Sequence, residues 1–302
     1  MKIGFIGLGI MGKPMAKNLL KTKYSLVVND INKDAVKELV SLGAEEGATP
    51  GEVAAKTDIV ITMLPNSPHV KQVVLGAGGI LEGAREGQIV IDMSSIAPAA
   101  SKEVAAALKV RKVHMLEAPV SGGEPKAIDG SLSIMVGGDK EIFEQCYDLL
   151  MQMGKSVVLC GDIGAGNTTK LANQIIVAIN IAAMSEALVL GAKAGVDPEL
   201  IYQAVRGGLA GSTVLDAKAP MVLNRNFKPG FKVDLHIKDL ANAIETAREV
   251  GAPLMLTNQV MEILQTLKVD GMGQDDHNSI IRFYEKLAKV EVRNEKCRGE
   301  SL

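Results

Sequence analysis

A chain of 302 residues is long enough for about two domains of ordinary size, each with its own core. Its 47% hydrophobic and 23% charged composition, with 33 Lys and Arg against 35 Asp and Glu, excludes intrinsic disorder, a polybasic nucleic-acid binder and an acidic tail. With no Trp, four Tyr and five Phe there is no aromatic platform for stacking nucleic-acid bases, so the core must be built from Ala, Val, Ile, Leu and 14 Met.

The first half alternates strand and helix signals. Strands are expected over 2–6, 25–28, 59–63, 89–93, 113–116, 132–136 and 157–159, and helices over 14–20, 33–42, 99–108 and 140–153. The opening segment places one Lys before an apolar run, yet it carries four glycines and passes into Lys13-Pro14-Met15, a turn opening a helix rather than a secretory signal. Alternating βα units imply a mostly parallel sheet covered by helices. After Gly161-Asp162-Ile163-Gly164-Ala165-Gly166 the pattern changes. Residues 167–194 read as one long apolar helix, followed by helix-length segments broken at Pro198, Gly207-Gly208, Pro220, Pro229-Gly230, Gly251 and Pro253, with no strand. The expected fold is therefore α/β: an N-terminal domain over 1–163, which the G-x-G-x-x-G run Gly7 to Gly12 after its first strand marks as Rossmann-type and dinucleotide-binding, joined by a long interdomain helix to an all-α C-terminal domain over 164–302. Asn180, Ser185 and Glu186 interrupt the apolar run over 175–190, so it is too short and too polar for a membrane span. A helix apolar on nearly every side needs cover, which points to packing against a second subunit. Cys146, Cys160 and Cys297 form no CxxC pair and read as buried small hydrophobes in a reducing, cytoplasmic setting.

Gly7-Leu8-Gly9-Ile10-Met11-Gly12 matches G-x-G-x-x-G between a strand and a helix, 18 residues before Asp30 at the end of the second strand. Gly7 permits the tight turn, Gly9 lets the backbone approach a pyrophosphate, Gly12 allows close helix packing, and the helix N-terminus attracts phosphate. Asp30 is placed to accept hydrogen bonds from the adenosine ribose. Gly7, Gly12 and Lys13 also satisfy part of a P-loop, but Pro14 stands where that motif needs a Ser or Thr hydroxyl for magnesium. The expected cofactor is NAD, with NADH favoured over NADPH. A carboxylate at Asp30 repels a 2′-phosphate and Ile31 offers no guanidinium, although Lys33 lies close by in the chain.

Three later segments carry chemistry. In Ala118-Pro119-Val120-Ser121-Gly122-Gly123-Glu124-Pro125, a hydroxyl and two glycine N–H groups follow a strand, a natural nest for a carboxylate. Lys170 and Asn173 share one face early in the long helix, where burial and the dipole should both lower the lysine's pKa. Lys238 repeats this arrangement near the start of a helix over 235–250, with Asp234 as the expected N-cap and Asp239 beside it either as its partner or, like it, solvated. His69, His114, His236 and His277 are scattered without a metal-ligand spacing, so no metal is expected. No G-x-S-x-G elbow is present.

Together Gly4-Phe5-Ile6-Gly7-Leu8-Gly9-Ile10-Met11-Gly12, Met63-Leu64-Pro65, Asp92-Met93-Ser94-Ser95, Pro119-Val120-Ser121-Gly122-Gly123, Gly164-Ala165-Gly166-Asn167 through Lys170 to Asn173, and Lys238-Asp239 resemble the β-hydroxyacid dehydrogenase family over essentially the whole chain. The resemblance implies hydride exchange between a nicotinamide cofactor and a small carboxylate aldehyde. It implies Lys170 as catalytic acid, Ser121, Gly122 and Gly123 as holders of the substrate carboxylate, and Asn173 as the residue orienting the reacting end. It also implies that Ser95 and the Met63-Leu64-Pro65-Asn66 loop touch the cofactor, that Lys238 lies near the nicotinamide, and that the protein is a homodimer or homotetramer. No nucleic-acid or membrane partner is implied. Gln174 departs from the pattern, many relatives carrying a second Asn there. The alternative of a different class is a noncatalytic dinucleotide-binding protein, which would have no need of the acid at Lys170.

Overall fold

In the computed structural model, which describes residues 1–294, each apolar run expected as a strand forms one. The order is β1 (Lys2–Ile6), α1 (Gly12–Leu20), β2 (Ser25–Asn29), α2 (Lys33–Ser41), β3 (Glu45–Glu46), α3 (Pro50–Lys56), β4 (Ile59–Thr62), α4 (Ser67–Leu75), α5 (Ile80–Gly83) and β5 (Ile89–Asp92). There follow α6 (Pro98–Val110), β6 (His114–Glu117), β7 (Val120–Ser121), α7 (Gly123–Asp129), β8 (Leu132–Gly138), α8 (Lys140–Leu150) and β9 (Gly154–Gly161).

The strands form one sheet in the order β3-β2-β1-β4-β5-β6-β8-β7, with β9 paired to β8. From β3 to β6 all pairings are parallel, whereas β8 runs antiparallel to β6 and β7 and parallel to β9. Alternation along the strands serves two faces: Ile59, Ile61, Ile89 and Ile91 enter one buried cluster and Val60 and Val90 the opposite one. Because both faces are covered, these strands read as continuous apolar runs. Strand order reverses between β1 and β4, and in such sheets ligands bind beyond the carboxyl ends of the strands at that reversal.

The residue contacts divide the chain after Lys170. The second unit contains most of α9 (Ala165–Lys193), then α10 (Pro198–Val205), α11 (Thr213–Leu223), α12 (Val233–Val250), α13 (Met255–Val269), a 3-10 turn at His277–Ser279 and α14 (Ile280–Ala288). Among the described residues it has no strand, only an isolated bridge between Lys232 and Asp276. The first turn of α9 stays with the sheet because it is seated on β8: a Cβ on Gly166 would stand 2.6 Å from the Met135 carbonyl oxygen. By length and composition α9 could cross a membrane, with a mean hydropathy of 2.0 over its most apolar window. Its Ala178, Ile181, Ala182, Met184, Leu188 and Val189 instead form part of the second unit's core, with Leu240, Leu264 and Ile280.

Cys146 is buried as expected, and burial pushes its thiol up to about 11. Cys160 is partly exposed on β9, so the expectation of a buried hydrophobe fails there; that strand buries little besides Gly154. Cys297 lies outside the described residues.

Candidate active site

The loop after β1 is held by close backbone approach. Gly7 has φ +96°, and a Cβ on it would stand 2.3 Å from the Met63 carbonyl oxygen in the loop after β4. A Cβ on Gly12 would strike the Gly7 carbonyl oxygen, whereas one on Gly9 would meet nothing within 4 Å. The chain's own packing therefore explains two of the glycines and leaves Gly9 facing open space, as a backbone that receives a ligand requires. Met11 gives the first turn of α1 no side-chain cap, and that turn holds no acid, so its N–H groups and dipole suit a phosphate. Asp30 bridges two loops: Oδ2 accepts from the Leu8 N–H at 2.5 Å and Oδ1 from the Asn32 N–H at 2.6 Å. These residues fit a dinucleotide. Lys13 does not serve a P-loop, because with Lys17 it pairs with Glu38, at 2.9 and 2.5 Å, and the two ammonium groups hold that carboxyl down at about 2.

The loops after β4 and β5 are tied through Asp92, fully buried at the end of β5. Its Oδ1 accepts from Thr62 Oγ1 at 2.8 Å and from the Ser94 N–H at 3.1 Å, and Ser94 Oγ accepts from the Leu64 N–H at 2.8 Å. Thus the Met63-Leu64-Pro65-Asn66 loop is braced through Leu64 against Ser94, the residue before Ser95, while Asn66 caps α4 by accepting from the Ser67 N–H. Burial pushes the Asp92 carboxyl up to about 6, the hydrogen bonds from Ser94 and Thr62 opposing the rise and the Glu117 carboxylate adding to it. Between about pH 4 and pH 6 the folded chain keeps a proton that the unfolded chain has released. The stability contributed by this group therefore falls as pH rises through that window, by about 3 kcal/mol in all. Asp92→Asn is expected to remove that loss and raise the melting temperature at pH 7.5 more than at pH 4.5. An equal change at both pH values in thermal unfolding would count against it.

Ser121 ends β7, and Gly122 and Gly123 follow with φ of +141° and +69°. A Cβ on Gly122 would collide with the Lys126 side chain, so this turn is specified for glycine by both space and backbone.

Helix α9 begins on a buried carboxylate. Glu117 Oε1 accepts from the N–H groups of Gly164 and Asn167 at 2.8 and 3.1 Å, and Oε2 accepts from Asn167 Nδ2 at 3.0 Å. Asn167 also donates to Ser101 Oγ and accepts from the Ile96 N–H, anchoring the helix start to the residues just beyond Ser95. Lys170 follows within the next turn and is 6% exposed.

On the same helix Asn173 lies three residues past Lys170. Its Nδ2 donates to Gln174 Oε1 at 2.9 Å, Gln174 Nε2 donates to Asp239 Oδ2 at 2.5 Å, and Lys238 Nζ stands 2.8 Å from Asp239 Oδ1. The pairing of Lys238 with Asp239 is present. Asp234 is not the N-cap of α12: the helix starts at Val233 after Lys232, so Asp234 falls inside the first turn, where Gln274 and Lys268 reach its carboxylate. His236 and His277, far apart in sequence, meet with their Nδ1 atoms 3.0 Å apart beside Phe231, and His236 Nε2 lies 3.2 Å from the Gln174 carbonyl oxygen. No group of three or more metal-ligating side chains occurs among the described residues. Glu117, Asn167, Asp92 and Gln174 were not singled out as a bracing set. The available signal was an acid closing an apolar strand, as in Ile89-Val90-Ile91-Asp92 and His114-Met115-Leu116-Glu117.

Residues 2–161 match the NAD-binding domain of 6-phosphogluconate dehydrogenase, and residues 164–284 match the NAD-binding domain of NADP-dependent 3-hydroxyisobutyrate dehydrogenase. The chain is 43% identical over 288 residues to the 2-hydroxy-3-oxopropionate reductase of Escherichia coli strain K12, covering 95% of this chain and 98% of that one. It is 37% identical to the 2-(hydroxymethyl)glutarate dehydrogenase of Eubacterium barkeri, covering 96% and 97%. A solved 3-hydroxyisobutyrate dehydrogenase of Mycobacterium tuberculosis superposes with a TM-score of 0.87 at 29% identity, covering 94% of this chain and 98% of that one. With the dinucleotide-ready loop, the braced lysine helix and these likenesses together, the chain belongs to the β-hydroxyacid dehydrogenases, NAD(P)-dependent oxidoreductases acting on hydroxyl groups.

Proposed function

We propose that this enzyme reduces tartronate semialdehyde (2-hydroxy-3-oxopropanoate) to D-glycerate with NADH. The choice of substrate is carried by the 43% identity to a 2-hydroxy-3-oxopropionate reductase. It is supported by the segments 121–130 and 206–212, Ser-Gly-Gly-Glu-Pro-Lys-Ala-Ile-Asp-Gly and Arg-Gly-Gly-Leu-Ala-Gly-Ser, which resemble those of reductases with that activity. A reduced dinucleotide held by the glycine loop and Asp30 would supply a hydride for the aldehyde carbon. Lys170 hydrogen-bonds the carbonyl oxygen as an ammonium and gives it a proton as the alkoxide develops. Ser121 and the N–H groups of Gly122 and Gly123 hold the carboxylate, and Asn173 orients the reacting end, since a small substrate offers few other handles. Lys238, Ser95 and the Met63-Leu64-Pro65-Asn66 loop are assigned to the cofactor side, as are Gly7, Leu8, Gly9, Ile10, Met11, Gly12 and Asp30.

NADH oxidation measured with tartronate semialdehyde, glyoxylate, succinic semialdehyde and methylmalonate semialdehyde tests the assignment: the first should have the highest kcat/KM. A higher value for any of the others retains the family chemistry and discards the substrate. The second reading is 3-hydroxyisobutyrate dehydrogenase activity, favoured by a 37% identity to the bovine mitochondrial enzyme of that name.

The preference for NADH rests on Asp30, on the fully exposed Ile31, and on Lys33, whose Nζ lies 2.9 Å from Glu46. The double variant Asp30→Ser, Ile31→Arg is expected to move the NADH/NADPH ratio of kcat/KM toward NADPH by on the order of 100-fold, since it removes a repelling carboxylate and adds a guanidinium. A native ratio favouring NADPH would sink the preference. The 1–163 segment is assigned to cofactor binding and 164–302 to the substrate and to self-association as a homodimer or homotetramer in the cytoplasm. Ile176 and Leu190, exposed on α9, support self-association, and the molar mass by light scattering tests it.

A further inference from the structure

We infer that Gln174 is a positioning residue that sets Asn173 and Lys238 together, through Asp239. The inference rests on the roles proposed for Asn173 and Lys238, and it concerns how they are held.

The orientation of each amide in the chain of contacts is forced. Asp239 is 2% exposed and its carboxylate can only accept, so the Gln174 group facing Oδ2 must be its NH2. Oε1 is thereby turned toward Asn173, where it accepts from Nδ2 at 2.9 Å. This fixes which end of the Asn173 amide is engaged by Gln174, so its Oδ1 is presented on the other side. On the far side of the carboxylate, Lys238 Nζ is paired at 2.8 Å with Oδ1, an ion pair without the directional geometry of a hydrogen bond. One buried carboxylate therefore sets the polarity of two amides and neutralises one ammonium. The reach matters as well. An Asn at 174 is one methylene shorter and could not keep both the 2.9 Å and the 2.5 Å contact from the same backbone position. Gln174 is itself only 4% exposed, so a polar side chain in that place must have its hydrogen bonds satisfied locally. The Gln174 carbonyl oxygen, 3.2 Å from His236 Nε2, ties the same turn of α9 to α12 a second time, which limits how far the backbone could shift to accommodate a shorter amide.

The decisive experiment is a double-mutant cycle in the full-length enzyme, using whichever aldehyde it reduces fastest. Gln174→Leu removes the side-chain hydrogen bonds to Asn173 and Asp239 at nearly constant volume and is expected to lower kcat/KM by about 10- to 100-fold, as a misplaced orienting group does. In an Asn173→Ala background the same change should cost clearly less, about 3-fold, because one of the two groups it positions is gone and only the loss through Lys238 is left. Gln174→Asn is expected to fold like the wild type and to lose most of the same activity, and it replaces the Leu variant in the cycle if that variant melts more than a few degrees below the wild type. Equal losses in both backgrounds, or a wild-type kcat/KM for Gln174→Asn, would overturn the inference. Lys170→Ala serves as the separate control. If it keeps full turnover, the catalytic reading fails; if it is inactive while the cycle is additive, only the role of Gln174 falls.

Discussion

Lys170→Ala is expected to lower kcat by about two to four orders of magnitude while NADH still binds, the cost of removing a positioned proton donor. The side chain is 6% exposed and sits one turn into a helix whose start is fixed by Glu117 and Asn167, so the ammonium is confined rather than free to sample solvent. Confinement makes the loss large, because a mobile lysine could be replaced in part by water. Lys170→Arg should rescue little: a guanidinium keeps the charge but is a far weaker acid, and its planar fork does not fit a point-donor geometry. Cofactor affinity can be read from the fluorescence of NADH itself, since the chain has no Trp to act as an intrinsic reporter. A Lys170→Ala enzyme that turns over at near the native rate would remove this residue from the mechanism, and one that no longer binds NADH would show that its role is structural.

What could be read from the chain alone was what lies close together in it. The glycine loop, Asp30 and the apolar strands announce themselves within about thirty residues, and the structure places them at the reversal of strand order. Lys238 and Asp239 are neighbours, so their pairing was legible too. The short helices α3 and α4 were not expected, although Thr49-Pro50 and Asn66 with Pro68 are good start signals. The antiparallel course of β8 was equally hidden, since an apolar run carries no mark of direction. The bracing contacts were illegible for a different reason. Glu117 meets Asn167 across 50 residues, and Gln174 meets Asp239 across 65. Each is an ordinary polar residue until the fold closes and leaves it no water to bind.

Glu117 carries the second large expectation, because three donors depend on it. Replacing it by leucine leaves the N–H groups of Gly164 and Asn167 and the Asn167 amide without their acceptor in a site closed to solvent. Breaking a buried, charge-assisted set of this kind costs about 3 to 5 kcal/mol. At roughly 2 to 4 °C per kcal/mol for a domain of this size, the apparent melting temperature should fall by on the order of 10 °C. The carboxylate also faces the N-terminus of a 29-residue helix, where negative charge is favoured, so the loss includes that attraction. Glu117→Gln should be milder. It keeps one acceptor for the two N–H groups but sets an NH2 against the Asn167 Nδ2, so one contact becomes donor against donor. The same variant removes the charge that helps hold Asp92 high, its neighbour across the β5–β6 pair. The Asp92 carboxyl should then ionise more readily, and the decline in stability between about pH 4 and pH 6 should become shallower. Thermal unfolding of the two variants at pH 4.5 and pH 7.5 separates these effects, because the hydrogen-bond loss is present at both values and the charge effect lies between them. Turnover adds a third reading: a helix start released from Glu117 displaces Lys170, so kcat should fall in both variants even below the temperature at which either unfolds. A Glu117→Leu enzyme with native melting and native kcat would mean that the start of α9 is held by something other than this carboxylate.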